Sequence, residues 1–272
     1  MNIILLLKYL FLGFIQGFTE PLPISSSGHL VLFQELLSLS IEDLNFEIIV
    51  NLGSLFAIVF LFRHDLWRLI KHDILFLKTR RDEYKQDFIY SFLLVLAVIP
   101  AGIVGLLLKD WIEDTFKNVL SVGLSLLVTA IALYFVQKES TENTKEVIST
   151  KDAITIGLFQ VFSLLPGISR SGSTMVGGLS RKIKFEDVMR FSFLLYIPIS
   201  LATMVLAVRD IDTSTVFITG YVGAFLVSIV TTYFAVLWFF RLVRKGNLKY
   251  FAYYCLVVGF LAIGYVFIVE VI

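Results

Sequence analysis

The sequence predicts an all-α polytopic membrane protein, with six transmembrane helices and two re-entrant helix pairs arranged as an inverted-topology internal repeat. Three observations lead there. Of 272 residues, 57% are hydrophobic and only 17% charged, against roughly 45–50% and about 25% in soluble domains; the mean hydropathy is +0.85. Six apolar runs approach or exceed the roughly 20 residues that cross a hydrocarbon core. The polar stretch Gly13–Gly28 also recurs as Gly157–Gly172, a shift of 144 positions.

The six spans are read at about 46–62, 88–108, 118–137, 187–208, 214–240 and 250–269. Two further apolar stretches, 3–19 and 153–165, are shorter, stop in polar sequence and are followed by short apolar pieces at 30–38 and 174–180. Pieces of that length fit re-entrant segments better than spans. Sidedness follows from the basic residues of the joints. Arg63, Arg68, Lys71, Lys78, Arg80, Arg81 and Lys85 make joint 63–87 cytoplasmic. Asp110, Glu113 and Asp114 place joint 109–117 outside; joints 138–152 and 241–249 then fall inside, and joint 209–213 outside. Both termini are expected outside. The alternation closes only with six spans and two re-entrant pairs. Within the first cytoplasmic joint, Trp67–Leu77 reads as an interfacial helix or, almost equally, a solvated basic loop. No small-residue cleavage site follows Met1–Leu12, so no removable signal peptide is expected.

The repeat matches Gly13, Gln16, Phe18, Ile24, Ser25, Ser27 and Gly28 to Gly157, Gln160, Phe162, Ile168, Ser169, Ser171 and Gly172. Glu42-Asp43 and Glu186-Asp187 keep the same offset. The reading is a single membrane domain, 1–272, of two copies at about 1–137 and 150–272. Each copy has three spans, an odd number, so the second enters the membrane upside down. The two polar tips then meet near the midplane, where irregular backbone is tolerated only against protein or a wet cavity.

The first tip offers Gln16, Glu20, Ser25, Ser26, Ser27 and His29. Gln16 and Glu20 share one helix face and can present oxygen to a hard divalent cation. A hydroxyl run with an imidazole three residues beyond Ser26 suits a nucleophile and its base. The second tip offers Ser169, Arg170, Ser171, Ser173 and Thr174 around glycines. Such a loop directs backbone amides into an anion site, and Arg170 brings a fork that matches phosphate. Plainer readings stand beside these. Glu20 and Arg170 could be a structural ion pair, His29 a satisfied hydrogen bonder, and the Ser/Gly runs helix-packing surfaces. Taken together, the set points to a phosphate or diphosphate carried by a membrane-resident molecule. The net charge of +1 offers no nucleic-acid partner, and the single cysteine, Cys255, can form no intrachain disulfide.

Gln-x-x-x-Glu, then Pro-x-Ser-Ser-x-Gly-His, then a downstream Pro-Gly-x-Ser-Arg-Ser-Gly-x-Thr resembles the bacterial undecaprenyl-diphosphate phosphatase family linked to bacitracin resistance, over essentially the whole chain. The resemblance implies a metal-dependent hydrolase that takes the terminal phosphate from undecaprenyl diphosphate and regenerates the lipid carrier of cell-wall synthesis. It implies Ser26, His29, Glu20 and Arg170 as catalytic, and Glu20 with Gln16 as holders of Mg²⁺ or Ca²⁺. Ser25, Ser27, Ser169, Arg170, Ser171, Ser173 and Thr174 are the expected diphosphate binders. Two departures stand out: Gln16 where many members carry Glu, and Pro21 in place of a large apolar residue. The amide cannot act as a base, so proton transfer falls to Glu20 or His29. Ser26 either attacks phosphorus or orients the attacking water.

The expected setting is a multi-pass protein of the bacterial plasma membrane, with the bilayer and its lipid substrate as partners and a homodimer left open. The alternative is a lipid-phosphate transporter or flippase on the same inverted repeat, which would need binding groups but no nucleophile.

Overall fold

The computed structural model describes residues 3–39, 45–140, 144–207, 217–243 and 247–271. Glu42 and Asp43, the 209–213 joint, Arg244, Lys245 and both terminal residues lie outside that set. Eleven helices form among the described residues: α1 (Ile3–Thr19), α2 (Ser26–Leu36), α3 (Asn45–Leu61), α4 (Arg63–Thr79), α5 (Asp82–Phe116), α6 (Val119–Ser140), α7 (Thr150–Phe162), α8 (Arg170–Ser180), α9 (Phe185–Ala207), α10 (Ile218–Leu242) and α11 (Lys249–Val271). The only other regular pairing among them is an isolated bridge between Lys145 and Ile183.

Five helices, α5, α6, α9, α10 and α11, are long and apolar enough to cross a membrane; α3 joined to α4 would make a sixth, bent by 73° at the break. The charges of α4 explain the bend. Arg63, Asp65, Arg68, Lys71 and Asp73 follow directly on the apolar Leu55–Phe62, and such residues are expensive at membrane depth. Helix α5 runs 35 residues, well beyond the 88–108 expected, because its polar ends carry the helix out on both sides. At 1.5 Å per residue it is about 52 Å long. By the same measure the 11-residue α2 and α8 reach only about 16 Å, half a hydrocarbon core.

Polarity is distributed inside out relative to a soluble protein. Leu107, Phe135 and Leu261 are about 70% exposed on the outer flanks (75%, 69% and 68%), whereas Gln16, Glu20, His29, Thr129, Gln160, Ser169, Thr174 and Ser228 are buried. Water would not hold that arrangement; lipid does. The main core gathers Leu55, Leu94, Leu126, Met175, Phe191, Tyr196 and Phe239 between α3, α5, α6, α8, α9 and α10.

Helix α1 packs along α10, α7 along α5, and α6 along α11. Two matched glycines sit at the first two of these contacts. A Cβ on Gly13 would collide with the Ala224 backbone of α10, and one on Gly157 with the Ala97 backbone of α5. Close approach of helix backbones through small residues replaces the hydrophobic drive that lipid removes.

Candidate active site

The site forms where the α1–α2 loop meets the α7–α8 loop. Ser25 caps α2: its hydroxyl accepts from the Gly28 amide at 3.3 Å. Ser169 caps α8 in the same way, accepting from the Gly172 amide at 3.1 Å. Each cap satisfies an orphan amide of a first helical turn. The loops are then stitched to one another. The Gly167 amide donates to Ser25 Oγ at 3.1 Å, and Ser171 Oγ donates to the Leu22 carbonyl at 3.0 Å. Thr129 of α6 donates to the Gly167 carbonyl at 3.1 Å and accepts from the Ser169 amide at 3.3 Å.

No side chain separates the two backbones at the crossing. A Cβ on Gly28 would lie 2.8 Å from Gly167 Cα, and Gly167 itself has φ +96°. Ser25 also has a positive φ of 69°, a left-handed conformation that a non-glycine residue adopts only when its surroundings over-determine it.

Glu20 is the hub. One carboxylate oxygen accepts from Gln16 Nε2 at 3.0 Å and from the Ser26 hydroxyl. The other accepts from Arg170 Nη2 at 2.8 Å. A carboxylate thus joins a hydroxyl of the first loop to a guanidinium of the second. Arg170 also donates from Nη1 to the Ser192 carbonyl at 3.4 Å, and its guanidinium carbon lies 4.1 Å from the centre of the Tyr196 ring. Two of its five donors are thereby used.

Beside this hub is a cavity of about 40 Å³ lined by Glu20, Ser25, Ser26, Ser27, Ser163, Ile168, Ser169, Arg170 and Ser171. Of the residues read from sequence, Gln16, His29, Ser173 and Thr174 fall outside its wall. Thr174 Oγ1 is turned to the Arg170 and Ser171 carbonyls and to Ser192. His29 does not hydrogen-bond Ser26. Its Nδ1 faces the Ser25 carbonyl at 2.7 Å and its Nε2 the Tyr254 hydroxyl at 2.8 Å. A carbonyl can only accept, so Nδ1 carries the proton and Tyr254 donates to Nε2. The imidazole is drawn away from Ser26 by α11, and the hydroxyl turns to Glu20 instead.

A second cavity of about 330 Å³ lies between α3, α5 and α9, with Leu52, Leu55, Ala101 and Leu106 among its apolar walls and Glu47, Lys109 and Glu113 among its polar residues. It adjoins the hub through Asn51, one of its wall residues, whose side chain accepts from the Tyr196 hydroxyl.

The model of the bacitracin resistance protein BacA family matches residues 9–261. The chain belongs to that family. It is 47% identical over 262 residues to undecaprenyl-diphosphatase 2 of Bacillus thuringiensis (strain Al Hakam), covering 95% of this chain and 97% of that one. It is 41% identical over 264 residues to undecaprenyl-diphosphatase 1 of Bacillus licheniformis, covering 95% and 97%, and 43% identical over 267 residues to the undecaprenyl-diphosphatase of Oceanobacillus iheyensis, covering 95% and 96%.

For a BacA-family chain with a metal-dependent expectation, the donor set matters. Among the described residues no group of three or more His, Cys, Asp or Glu is placed to hold a metal ion. One carboxylate, Glu20, and one amide, Gln16, are available. That is too few for a resident cage, but Mg²⁺ is commonly held by one or two carboxylates together with substrate phosphates. The residues therefore fit a cation that comes in on a diphosphate. Sequence reasoning about this BacA-family site passed over Tyr196, Tyr254, Thr129, Ser192 and Ser163. Only Ser163 carried a signal: it stands 144 positions after Thr19, one residue before Glu20.

Proposed function

We infer that this BacA-family chain is an integral membrane undecaprenyl-diphosphate phosphatase that releases the terminal phosphate and returns the lipid monophosphate to cell-wall synthesis. The observation that carries this reading is the Glu20 carboxylate, bonded at once to the Ser26 hydroxyl and to Arg170. Relatives named for the activity, matched over nearly the whole chain, support it.

In the proposed reaction the terminal phosphoryl group enters the small cavity and engages the unspent donors of Arg170 and the hydroxyls of Ser26 and Ser27. Ser25, Ser169 and Ser171 hold the two loops around it. Ser26 Oγ attacks phosphorus in line as Glu20 takes its proton; the bond to the bridging oxygen breaks and the lipid monophosphate leaves. Water then cleaves the phosphoserine, releasing inorganic phosphate and restoring the hydroxyl. His29, fixed by Tyr254 and the Ser25 carbonyl, holds the start of α2 rather than carrying the proton. A divalent cation, held by Glu20 and Gln16 and by the diphosphate, would neutralise charge on the phosphate oxygens. Positioning and charge stabilisation dominate, as phosphoryl transfer requires. The larger cavity, within the size range of small-molecule sites, would take the first isoprenoid units.

The same reading makes α1–α2 and α7–α8 re-entrant pairs of an inverted repeat within one domain, with both termini outside. The short helices, the paired serine caps and the equivalent packing of Gly13 and Gly157 support it. A lipid-phosphate carrier on this scaffold would have no use for the Ser26–Glu20 hydrogen bond, and that favours the hydrolase.

The test is phosphate release from a long-chain prenyl diphosphate by purified protein, with Mg²⁺ or EDTA and with Ser26→Ala, Glu20→Gln and Arg170→Lys. Loss in all three variants supports the site, because lysine cannot reproduce the guanidinium fork. Near-normal turnover in Ser26→Ala would remove the serine nucleophile and leave the activated-water route. Prenyl phosphate binding without release under any condition would favour the carrier.

A further inference from the structure

Helix α4 leaves the α3 axis at 73° and packs along α5 by one side only. Leu69 is buried, His72 Nδ1 meets Asp87 at 2.6 Å and Arg68 Nε meets the same carboxylate at 3.4 Å. Asp65 pairs with Arg190 of α9. On the opposite side Trp67, Ile70, Ile74 and Leu77 are exposed by 70%, 52%, 48% and 56%. At 100° per residue these four fall within an arc of about 80°.

The charges around that stripe are one-sided. Lys71 and Lys78, seven residues apart and both exposed, border the stripe on the edge next to Trp67. Neither joins an ion pair among the described residues, whereas Arg68 on the packed side does. Both acids of the helix, Asp65 and Asp73, turn toward the protein: the first to Arg190, the second to Ser91 of α5. The outward surface therefore offers apolar side chains and positive charge alone, with a tryptophan suited to the depth of the headgroups.

We propose that this face of α4 is a docking surface for anionic phospholipid headgroups, with Trp67, Ile70, Ile74 and Leu77 in the upper acyl region and Lys71 and Lys78 on the phosphates. The inference does not depend on the phosphatase reading. Charge complementarity selects the occupant: a protein partner would need an acidic, apolar strip of matching length, whereas an anionic leaflet presents that combination everywhere on the face the basic joints make cytoplasmic. Each lysine at such a surface is worth about a five-fold preference for anionic over zwitterionic lipid.

Trp111→Phe/Trp238→Phe protein, leaving Trp67 as the only tryptophan, would be placed in vesicles of phosphatidylcholine and phosphatidylglycerol. Two vesicle sets of identical composition differ only in which lipid carries brominated chains. Stronger Trp67 quenching by brominated phosphatidylglycerol is expected. That preference should fall about five-fold for each lysine removed in Lys71→Gln/Lys78→Gln and persist in Lys71→Arg/Lys78→Arg, which also shows that the site tolerates substitution. Equal quenching by the two lipids, or a preference that survives in the glutamine variant, would overturn the proposal. So would protection of Trp67 from both, which would mean that a second copy or another protein covers the face.

Discussion

The Arg170 guanidinium carbon sits over the Tyr196 ring, 4.1 Å from the ring centre, and the Tyr196 hydroxyl is fixed in turn by the Asn51 side chain of α3. The guanidinium on the wall of the small cavity is thus held by an aromatic ring whose hydroxyl is bonded to a wall residue of the larger one. Tyr196→Phe keeps the ring and should leave turnover within about two- to thirteen-fold of the parent, the worth of one hydrogen bond. Tyr196→Leu removes the ring and should raise KM for the lipid diphosphate about 3- to 30-fold, with a smaller change in kcat. Steady-state kinetics of the two variants side by side checks this.

Tyr254 reaches His29 from α11, 225 residues away. Tyr254→Phe leaves His29 Nε2 buried without its donor, and should destabilise the protein by about 1 kcal/mol or a little more. If His29 only positions the start of α2, the pH profile of phosphate release should keep its shape while its height falls. A displaced acid or basic limb would return the proton-transfer role to His29.

Gly13 and Gly157 should respond alike to enlargement. Valine at either position drives a side chain into the backbone of the facing helix, and overpacking of this kind destabilises by about 1–3 kcal/mol. Thermal unfolding in detergent should show comparable drops for Gly13→Val and Gly157→Val. A drop in only one would argue against equivalent packing of the two halves.

Asp152, wholly buried at the start of α7, sets a pH limit. Burial pushes its carboxyl up, but hydrogen bonds from Lys145, Ser149 and Arg181 outweigh that and hold it at about 2, below its ordinary 3.8. A lowered folded-state value stabilises fully above the ordinary one, and the benefit fades as pH falls through the range between them. It amounts to on the order of 1–2 kcal/mol. The unfolding midpoint of the parent should therefore decline below about pH 5. Asp152→Asn should start lower at neutral pH and vary less with acid.

Much of this was legible in sequence because lipid exposes its demands plainly. The limits of α1 and α3 match the apolar runs almost residue for residue, and Glu20, Ser26 and Arg170 were conspicuous as polar groups among apolar neighbours. The extension of α5 was not legible: Asp82–Gln86 and Lys109–Glu113 continue the helix outside the apolar run, where hydropathy carries no signal. Tyr196 and Tyr254 were hidden for the opposite reason, since an aromatic residue in an apolar span looks like any other. Hydroxyl-rich loops were ambiguous in a third way. Ser169 and Thr174 have the right atoms to hold phosphate, but only geometry shows them bonded to backbone and to Ser192.

The partnership of Glu20 with Arg170 spans 150 residues of chain, and that separation has a temporal meaning. At about 5–20 residues per second, the ribosome has yet to make the arginine for on the order of ten seconds after the glutamate emerges. During that interval the first loop carries an acid whose countercharge does not yet exist, and Gly28 has no Gly167 to rest against. The contacts that hold the first loop against the second therefore form only once the second half is made. Assembly of the candidate site is a late event, and a nascent chain arrested before residue 170 should leave Glu20, 8% exposed in the finished protein, more reactive toward water-soluble carboxyl reagents.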